Sequence, residues 1–524
     1  MPGNLIFKPN FVQKGLGPHI NPFVYLTDEN ENTFHSDIKL TNEGIVISDL
    51  HGKEKFALQV RWNVEGFGYL FCFADNGGEF YSLSSGKDEW LNLNYELAKS
   101  RIKFNQRRLN KFMQDDWVPS KEVQAFKDLS EVLFNDADKI RNNEEKCSVL
   151  SQLSLKYSML VSDYVELERA RYDIHKTGRR PDFFFGCDAR GYFQMDSNLF
   201  MEKFTKLFNY ATITHYLKAD FIDFEHEEGK KQFDVRDKIL KELRQNNIGV
   251  EGRPLFWIHE WVTPDWLRQK KYPELLKWIE KHVTEVVGHY EDQIAVWEVV
   301  NELHDWANEL HLTREQTIEV TKLACDVARS VNPKIKLLIN NCCPFGEYVH
   351  FKKMGNRDAT YPQRTPHQFI QDLIDNDVDF DIVGVQLYFV FRSAADAINN
   401  TERYLQFGKE VHLSEVGAPS FGLKLEFIDP DPGDYSKYPY EWKRHWDEEL
   451  QADWLEYNFT HAYSKPQITA ANWYDFVDPK VFLNKGGLLR SPDGEEKAIV
   501  NRLLSLKEKW NRMPQHLPVI ARSV

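Results

Sequence analysis

Two glutamates stand where the chain could bring an acid and a base together. Glu302 follows Asn301 just past the apolar run IAVWEVV, and Glu415 follows a second run, EVHLS. Short runs rich in Val, Ile, Leu and Trp predict buried β-strands, each with a carboxyl at its C-terminal end. A carboxyl pair converging on one site suits hydrolysis of a glycosidic bond. One acid protonates the leaving oxygen, and the other carboxylate attacks the anomeric carbon or activates water. Taken singly, each glutamate reads as a salt-bridged rim charge. The pairing therefore depends on the elements that carry them.

Those elements alternate after Pro181. Candidate strands are Phe183–Cys187, Tyr210–Thr214, Pro254–Ile258, Ala295–Val300, Ile335–Asn340, Ile382–Leu387, Glu410–Ser414 and Thr469–Trp473. Amphipathic segments such as Val235–Asn246, Pro273–Val287 and Arg314–Val331 lie between them. Eight strands with intervening helices predict an α/β fold, the (β/α)8 or TIM barrel, over 181–524. In such a barrel polar residues at the C-terminal strand ends face one mouth. Glu302 and Glu415, at the ends of the fourth and seventh strands, would then meet.

Several ordered motifs carry a resemblance. WEVVNELHD, VHLSEV and TPDWL, with FFFG, FNYAT, LLINN, GVQLY and NWYDFVD in strand order, resemble glycoside hydrolase family 10, the xylanase-type enzymes. The resemblance runs from about Phe183 to Leu504 and leaves residues 1 to about 175 outside it. It implies a retaining double displacement on a β-linked glycan or glycoside, with no obligatory metal or cofactor. Glu302 would be the acid/base and Glu415 the nucleophile, with Asn301 and His412 beside them. It further implies substrate contacts from Lys218, Gln386 and Trp473, and from His259 or Glu260 at the third strand. The chain also departs from the pattern. Thr214-His215-Tyr216 replaces the family's Glu-Asn-Glu, Tyr388 replaces a histidine, and a long insertion runs from about Phe421 to Trp446. His215 and Tyr216 are thus expected to alter the glycone subsite. The alternative is a catalytically silent carbohydrate-binding barrel, against which the presence of both glutamates counts.

The remaining 180 residues read as two parts. Residues 1–115 are β-rich, and Tyr69–Ala74 is apolar on both faces, as for a strand buried between two sheets of a sandwich. Asn76-Gly77 predicts a type I′ hairpin turn. Such a domain serves equally well as a sugar-binding or a purely structural accessory. Residues 116–180 read as a helical connector, with Leu153, Tyr157, Leu160, Val161, Tyr164 and Leu167 on one face. Arg101, Lys103, Arg107, Arg108 and Lys111 read as a solvated basic surface.

Composition excludes other classes. A net charge of -14 disfavours nucleic acid or an anionic membrane as partner. Six cysteines without a CxxC spacing suggest neither a zinc ribbon nor a redox pair, and His259-Glu260 lacks the second histidine of HExxH. His304 and His311, seven apart, read as ordinary surface histidines. MPGNLIFKPNF shows no signal-peptide pattern. A cytoplasmic protein is expected if Met1 is the native start, and a secreted one if a leader was trimmed.

Overall fold

A computed structural model of the 524-residue chain describes residues 3–515 apart from 11–22, 85, 220–221, 356, 389–390, 422–441 and 484. Most of the insertion expected after Glu415 falls outside the described residues. No helix among them is long and apolar enough to cross a membrane.

The N-terminal strands are β1 (Leu5–Lys8), β2 (Val24–Thr27), β3 (Thr33–Phe34), β4 (Asp37–Thr41), β5 (Gly44–Asp49), β6 (Ala57–Val64), β7 (Gly68–Ala74) and β8 (Glu89–Asn92). They form two four-stranded sheets, β4-β5-β1-β8 and β3-β2-β6-β7. The sheets share a core in which Phe7 of β1 meets Phe56 and Tyr81, with ring centroids 6.5 and 5.1 Å away. Two expectations fail here. Asn76 and Gly77 do take the positive φ of a type I′ turn, 56° and 74°, but they lie within a 3-10 turn, Asn76–Gly78, and β7 does not pair with β8. The β-rich stretch also stops at Asn92, whose side chain caps the next helix by accepting from the Tyr95 N–H.

That helix is α1 (Leu93–Phe112), followed by α2 (Lys121–Lys139) and the 34-residue α3 (Glu144–Thr177). The buried stripe of α3 matches the apolar set expected only in part: Val161 is buried, while Tyr157, Leu160, Tyr164 and Leu167 are half-buried. It runs through Ser148, Ser151, Ser154, Ser158 and Ser162, while Leu153 is exposed. Small side chains let α1 and α2 approach closely, and the Ser154 hydroxyl donates to the Ser130 carbonyl on α2 at 2.8 Å.

The barrel strands are β9 (Phe184–Asp188), β10 (Tyr210–Thr214), β11 (Gly249–Arg253), β12 (Val296–Asn301), β13 (Lys336–Asn341), β16 (Ile382–Leu387), β17 (Glu410–Val416) and β18 (Ile468–Trp473). They close in that order, every pair parallel. A two-stranded ribbon, β14 (Lys353–Met354) with β15 (Arg357–Asp358), interrupts the alternation. Strands covered on both faces read as near-continuous apolar runs, as all six buried residues of β16 do.

The helices outside are α4 (Ser197–Leu207), α5 (Phe233–Gln245), α6 (Asp265–Arg268), α7 (Tyr272–His289), α8 (Arg314–Val331), α9 (Glu347–Phe351), α10 (Pro366–Asp375), α11 (Ala394–Leu405), α12 (Glu448–Ser464) and α13 (Ala498–Asn511). Capping boxes, Thr313 with Gln316 and Thr365 with Gln368, start α8 and α10.

The third strand lies five residues earlier than expected, at Gly249–Arg253 rather than Pro254–Ile258. Pro254 has no N–H for the ladder, so the apolar run after it is the exit segment. Gly252 is required where it stands, because a Cβ there would come 2.3 Å from the Trp297 ring.

The two parts of the chain share one continuous core. The basic cluster of α1 is not a solvated surface throughout: Arg101 and Arg108 are buried, whereas Lys103, Arg107 and Lys111 are exposed. Arg101 binds Asp396 of α11 through two bonds of 2.7 Å. Arg108 holds Glu166 of α3 at 2.5 and 2.6 Å and Glu402 of α11 at 2.8 Å. The Phe71 N–H on the β7 edge donates to the Phe391 carbonyl of the barrel at 2.7 Å.

Candidate active site

The C-terminal ends of β12, β13, β16 and β17 converge on a buried polar cluster. Glu302 is the residue after β12, and its backbone sits at a φ of 56°, the left-handed region that non-glycine residues rarely adopt. Its N–H donates to the Asn340 carbonyl of β13 at 2.9 Å. On β17 the register against β16 shifts by one between Val385 and Gln386, so that Gln386 faces Glu415. That irregularity turns both Ser414 and Glu415 toward the cluster. The Ser414 hydroxyl donates to Asn340 Oδ1 at 2.6 Å.

The two carboxyls are linked through amides. Gln386 Nε2 donates to Glu302 Oε1 at 3.0 Å. Asn340 Nδ2 donates to Asn301 Oδ1 and to Glu415 Oε1, both at 3.1 Å. The Tyr388 hydroxyl lies 3.0 Å from Gln386 Oε1 and also contacts Glu415, so its single proton serves one or the other. Arg253, the last residue of β11, donates to Glu415 and pairs with Glu298 of β12 at 3.1 Å.

The electrostatics of the pair are unequal. Burial, then the neighbouring Glu415 charge, pushes the Glu302 carboxyl up to about 7, while the Gln386 bond and Arg253 oppose the shift. Arg253 and Asn340 donate to the Glu415 oxygens, and the Tyr388 hydroxyl contacts them. Burial also pushes Glu298 well above the carboxylate range, with Arg253 opposing and Glu251, Glu415 and Glu302 reinforcing. Arg253 keeps its charge against burial because Glu298 and Glu415 flank it.

A second ring of groups completes the mouth. Arg190 bridges Asp188 at 2.9 Å and Asp475 at 2.8 Å and lies 4.6 Å from the centre of the Tyr474 ring. Tyr474 stands 5.6 Å from Tyr388, and Tyr216 stands 5.0 Å from Trp257.

The structure thus brings together Asn301, Glu302, Gln386, Tyr388 and Glu415, with Tyr216 close by. Burial first, against Arg253 and Arg190, pushes the Tyr216 hydroxyl up to about 12. Five other expected residues lie elsewhere. His215 packs behind the barrel wall on Phe224, Tyr290 and Trp297, with Nδ1 bonded to the Ile213 carbonyl. Burial lowers its pKa well below the usual histidine value. Trp473 points away from the barrel axis and donates to the Gly486 carbonyl at 3.0 Å; its neighbour Tyr474 faces inward.

His412 is inside the barrel but pairs with Glu251, 3.6 Å away, rather than with Glu415. His259 sits in the exit loop between the Trp257 and Trp261 rings, and Glu260 beside it pairs with Arg357. The third-strand residue that reaches Glu415 is instead Arg253. Lys218 is exposed, and among the described residues no bond of the cluster runs to it. Sequence reasoning missed Arg253, Asn340, Glu298, Tyr474 and Arg190. For Asn340 a signal existed, a polar side chain closing the run LLIN at a strand end.

A (β/α)8 barrel with this cluster at its mouth defines a glycosidase-type scaffold, and the comparisons give the family. Residues 182–470 match glycosyl hydrolase family 10, and the chain belongs to that family. Among curated relatives, endo-1,4-beta-xylanase B of Neocallimastix patriciarum is 27% identical over 222 residues, covering 40% of this chain and 24% of that protein. Endo-1,4-beta-xylanase 3 of Arabidopsis thaliana is 23% identical over 318 residues, covering 60% of this chain and 37% of that protein. The matches thus span well under half of these relatives' length. Xylanase 10B of Thermotoga maritima aligns in three dimensions with a TM-score of 0.48 at 19% identity, covering 63% of this chain and 96% of that one.

Proposed function

We propose that the chain is a retaining glycoside hydrolase acting on a β-linked glycan or glycoside, with Glu302 as acid/base and Glu415 as nucleophile. The observation that carries this reading is the inequality of the pair. Glu302 keeps its proton to near neutral pH, while Arg253 and Asn340 donate to Glu415 and the Tyr388 hydroxyl contacts it. Glu415 attacks the anomeric carbon as Glu302 gives its proton to the leaving oxygen, forming a glycosyl-enzyme. Glu302, now a carboxylate, takes a proton from water, which attacks the same carbon and releases Glu415. Loss of the negative charge on Glu415 during glycosylation lowers the Glu302 proton affinity when it must give the proton up.

Named xylanases among the relatives make a xylan-type chain the first substrate to try. The mouth differs from the family pattern at Tyr216, Tyr388 and the β11 end, where Arg253 contacts the nucleophile. These exchanges favour a different or decorated glycone, since a polar site rejects partners that leave its groups unpaired. A panel of β-glycans and aryl β-glycosides tests the reading, with the product anomer followed by NMR. Glu302→Gln should slow substrates with poor leaving groups by at least ~10²-fold, within the range for general acid catalysis, and spare activated aryl glycosides. Glu415→Gln should abolish both. Equal behaviour of the two variants on activated substrates, or an inverted anomer, would refute the assignment.

A further inference from the structure

On the N-terminal sheet edge, far in sequence from the cluster above, three side chains present donors of the kind that bind transition metals. His35 lies between β3 and β4, Asp37 opens β4, and His51 sits in the turn after β5. One donor atom from each falls within 4.8 Å of the other two. His51 Nε2 and Asp37 Oδ1 are 3.4 Å apart. Two ligands at about 2.1 Å from a tetrahedral ion stand about 3.4 Å apart, so this pair needs no rearrangement to share one.

The third donor is pre-oriented. His35 Nδ1 lies 3.2 Å from the His350 carbonyl of α9. A carbonyl only accepts, so Nδ1 carries the proton and Nε2 is left with its lone pair. Imidazole ligands of metals are commonly held in this way, one ring nitrogen donating to a carbonyl while the other binds the ion. The His35 and His51 rings approach to 5.3 Å, close to edge-on.

The backbone adds an independent observation. His51 has a φ of 48° and Gly52 one of 87°, in a turn closed by the Lys53 N–H on the Leu50 carbonyl at 3.0 Å. A left-handed position favours Gly or Asn, so a histidine held there is strained. The strained position aims the imidazole at Asp37, and the His51 N–H is fixed by Asp49 Oδ1 at 2.8 Å.

We propose that His35, Asp37 and His51 form a binding site for a divalent cation of the zinc type. Two imidazoles and one carboxylate select Zn²⁺, Ni²⁺ or Cu²⁺ over Ca²⁺ and Mg²⁺, which prefer all-oxygen sets. His51 and Asp37 are exposed and His35 half-buried, so the fourth position faces solvent and takes water. The site clips the β3–β4 segment to the β5 turn. Through the His350 carbonyl it also bears on α9, which follows the Cys342-Cys343 loop beside the active-site strands. The site shares no residue with the carboxyl pair.

The test uses the full chain, stripped of metal and titrated with ZnCl₂ by calorimetry. One Zn²⁺ per chain should bind saturably, and the thermal midpoint should rise with added Zn²⁺. His35→Ala and His51→Ala should each weaken binding by at least ~10-fold, in line with the loss of a metal-site partner. His226→Ala is the control. His226 forms another surface pair with Asp223 at 2.8 Å, and its loss should change nothing. With Co²⁺ in place of Zn²⁺, the visible spectrum should show tetrahedral bands that His51→Ala removes. Absence of saturable binding at millimolar Zn²⁺ would overturn the proposal. So would binding that survives in the His35→Ala/His51→Ala double variant, or that His226→Ala removes.

Discussion

Glu402, half-buried at the seam between the N-terminal part and the barrel, and Glu302, buried at the barrel mouth, have surroundings that pull them in opposite directions. Burial pushes both upward. At Glu402, Arg108 at 2.8 Å and Lys465 at 3.2 Å overcome it and hold the carboxyl far below its ordinary range. At Glu302 the direct partner is the neutral Gln386 amide and the nearby charge is that of Glu415, so the carboxyl rises to about 7. A cation makes a buried acid a strut, and its replacement by an amide leaves an acid that can move a proton.

Separating the regions gives the strongest test. A barrel fragment beginning at Pro181 would expose the apolar seam and leave Asp396 and Glu402 without their arginines. We expect aggregation on size-exclusion chromatography. A monodisperse, fully active fragment would show the seam to be dispensable. Next in size is Arg108→Met, which strands Glu166 and leaves Glu402 with Lys465 alone. Breaking a buried ion pair from one side costs about 3–5 kcal/mol. Urea unfolding should show that loss, with kcat of the folded fraction nearly unchanged.

The third prediction concerns pH. Glu402 has a lowered folded pKa, so its stabilisation is present above the unfolded value and lost as pH falls. Glu302 has a raised one. Its favourable contribution is present below the unfolded value of 4.5 and is lost as pH rises through about 7. Glu302→Gln should therefore be more stable than the parent at pH ~8, by a few kcal/mol at most. In the parent, kcat/KM should fall above pH ~7 as the acid loses its proton. A flat alkaline profile would contradict the role of Glu302. The smallest effect separates two neighbours. Tyr216→Phe should raise KM on oligosaccharides by up to ~10-fold, as loss of one polar contact allows. His215→Gln should leave KM alone and alter only unfolding, since its ring lies behind the wall.

Much of the barrel was legible because its strands are apolar on both faces and end in polar residues. Tyr210–Thr214, Ile382–Leu387 and Arg314–Val331 have the bounds their residues suggest. Pro254 is where legibility failed first: the most apolar run in that region begins at a residue that cannot join the ladder, and Arg253 was hidden with the misplaced strand. Trp473 failed through phase, since a shift of one residue reverses the face of a strand and put Tyr474 in the mouth instead. The α3 serines carry no apolar period, so the apolar pattern caught Val161 but missed the serine face and included the exposed Leu153. The arginines of α1 look alike in sequence. Only the positions of Asp396, Glu166 and Glu402, far along the chain, decide which are buried.

The left-handed backbone at Glu302 bears on how this chain could drift. A strained non-glycine φ costs on the order of 1 kcal/mol, which glycine alone among the natural residues avoids. Glu302→Gly would relieve that strain and discard the acid, but it would also leave a cavity and the Gln386 amide without the carboxyl it donates to. If Glu302 is the acid proposed above, one substitution at this position would leave an inert barrel.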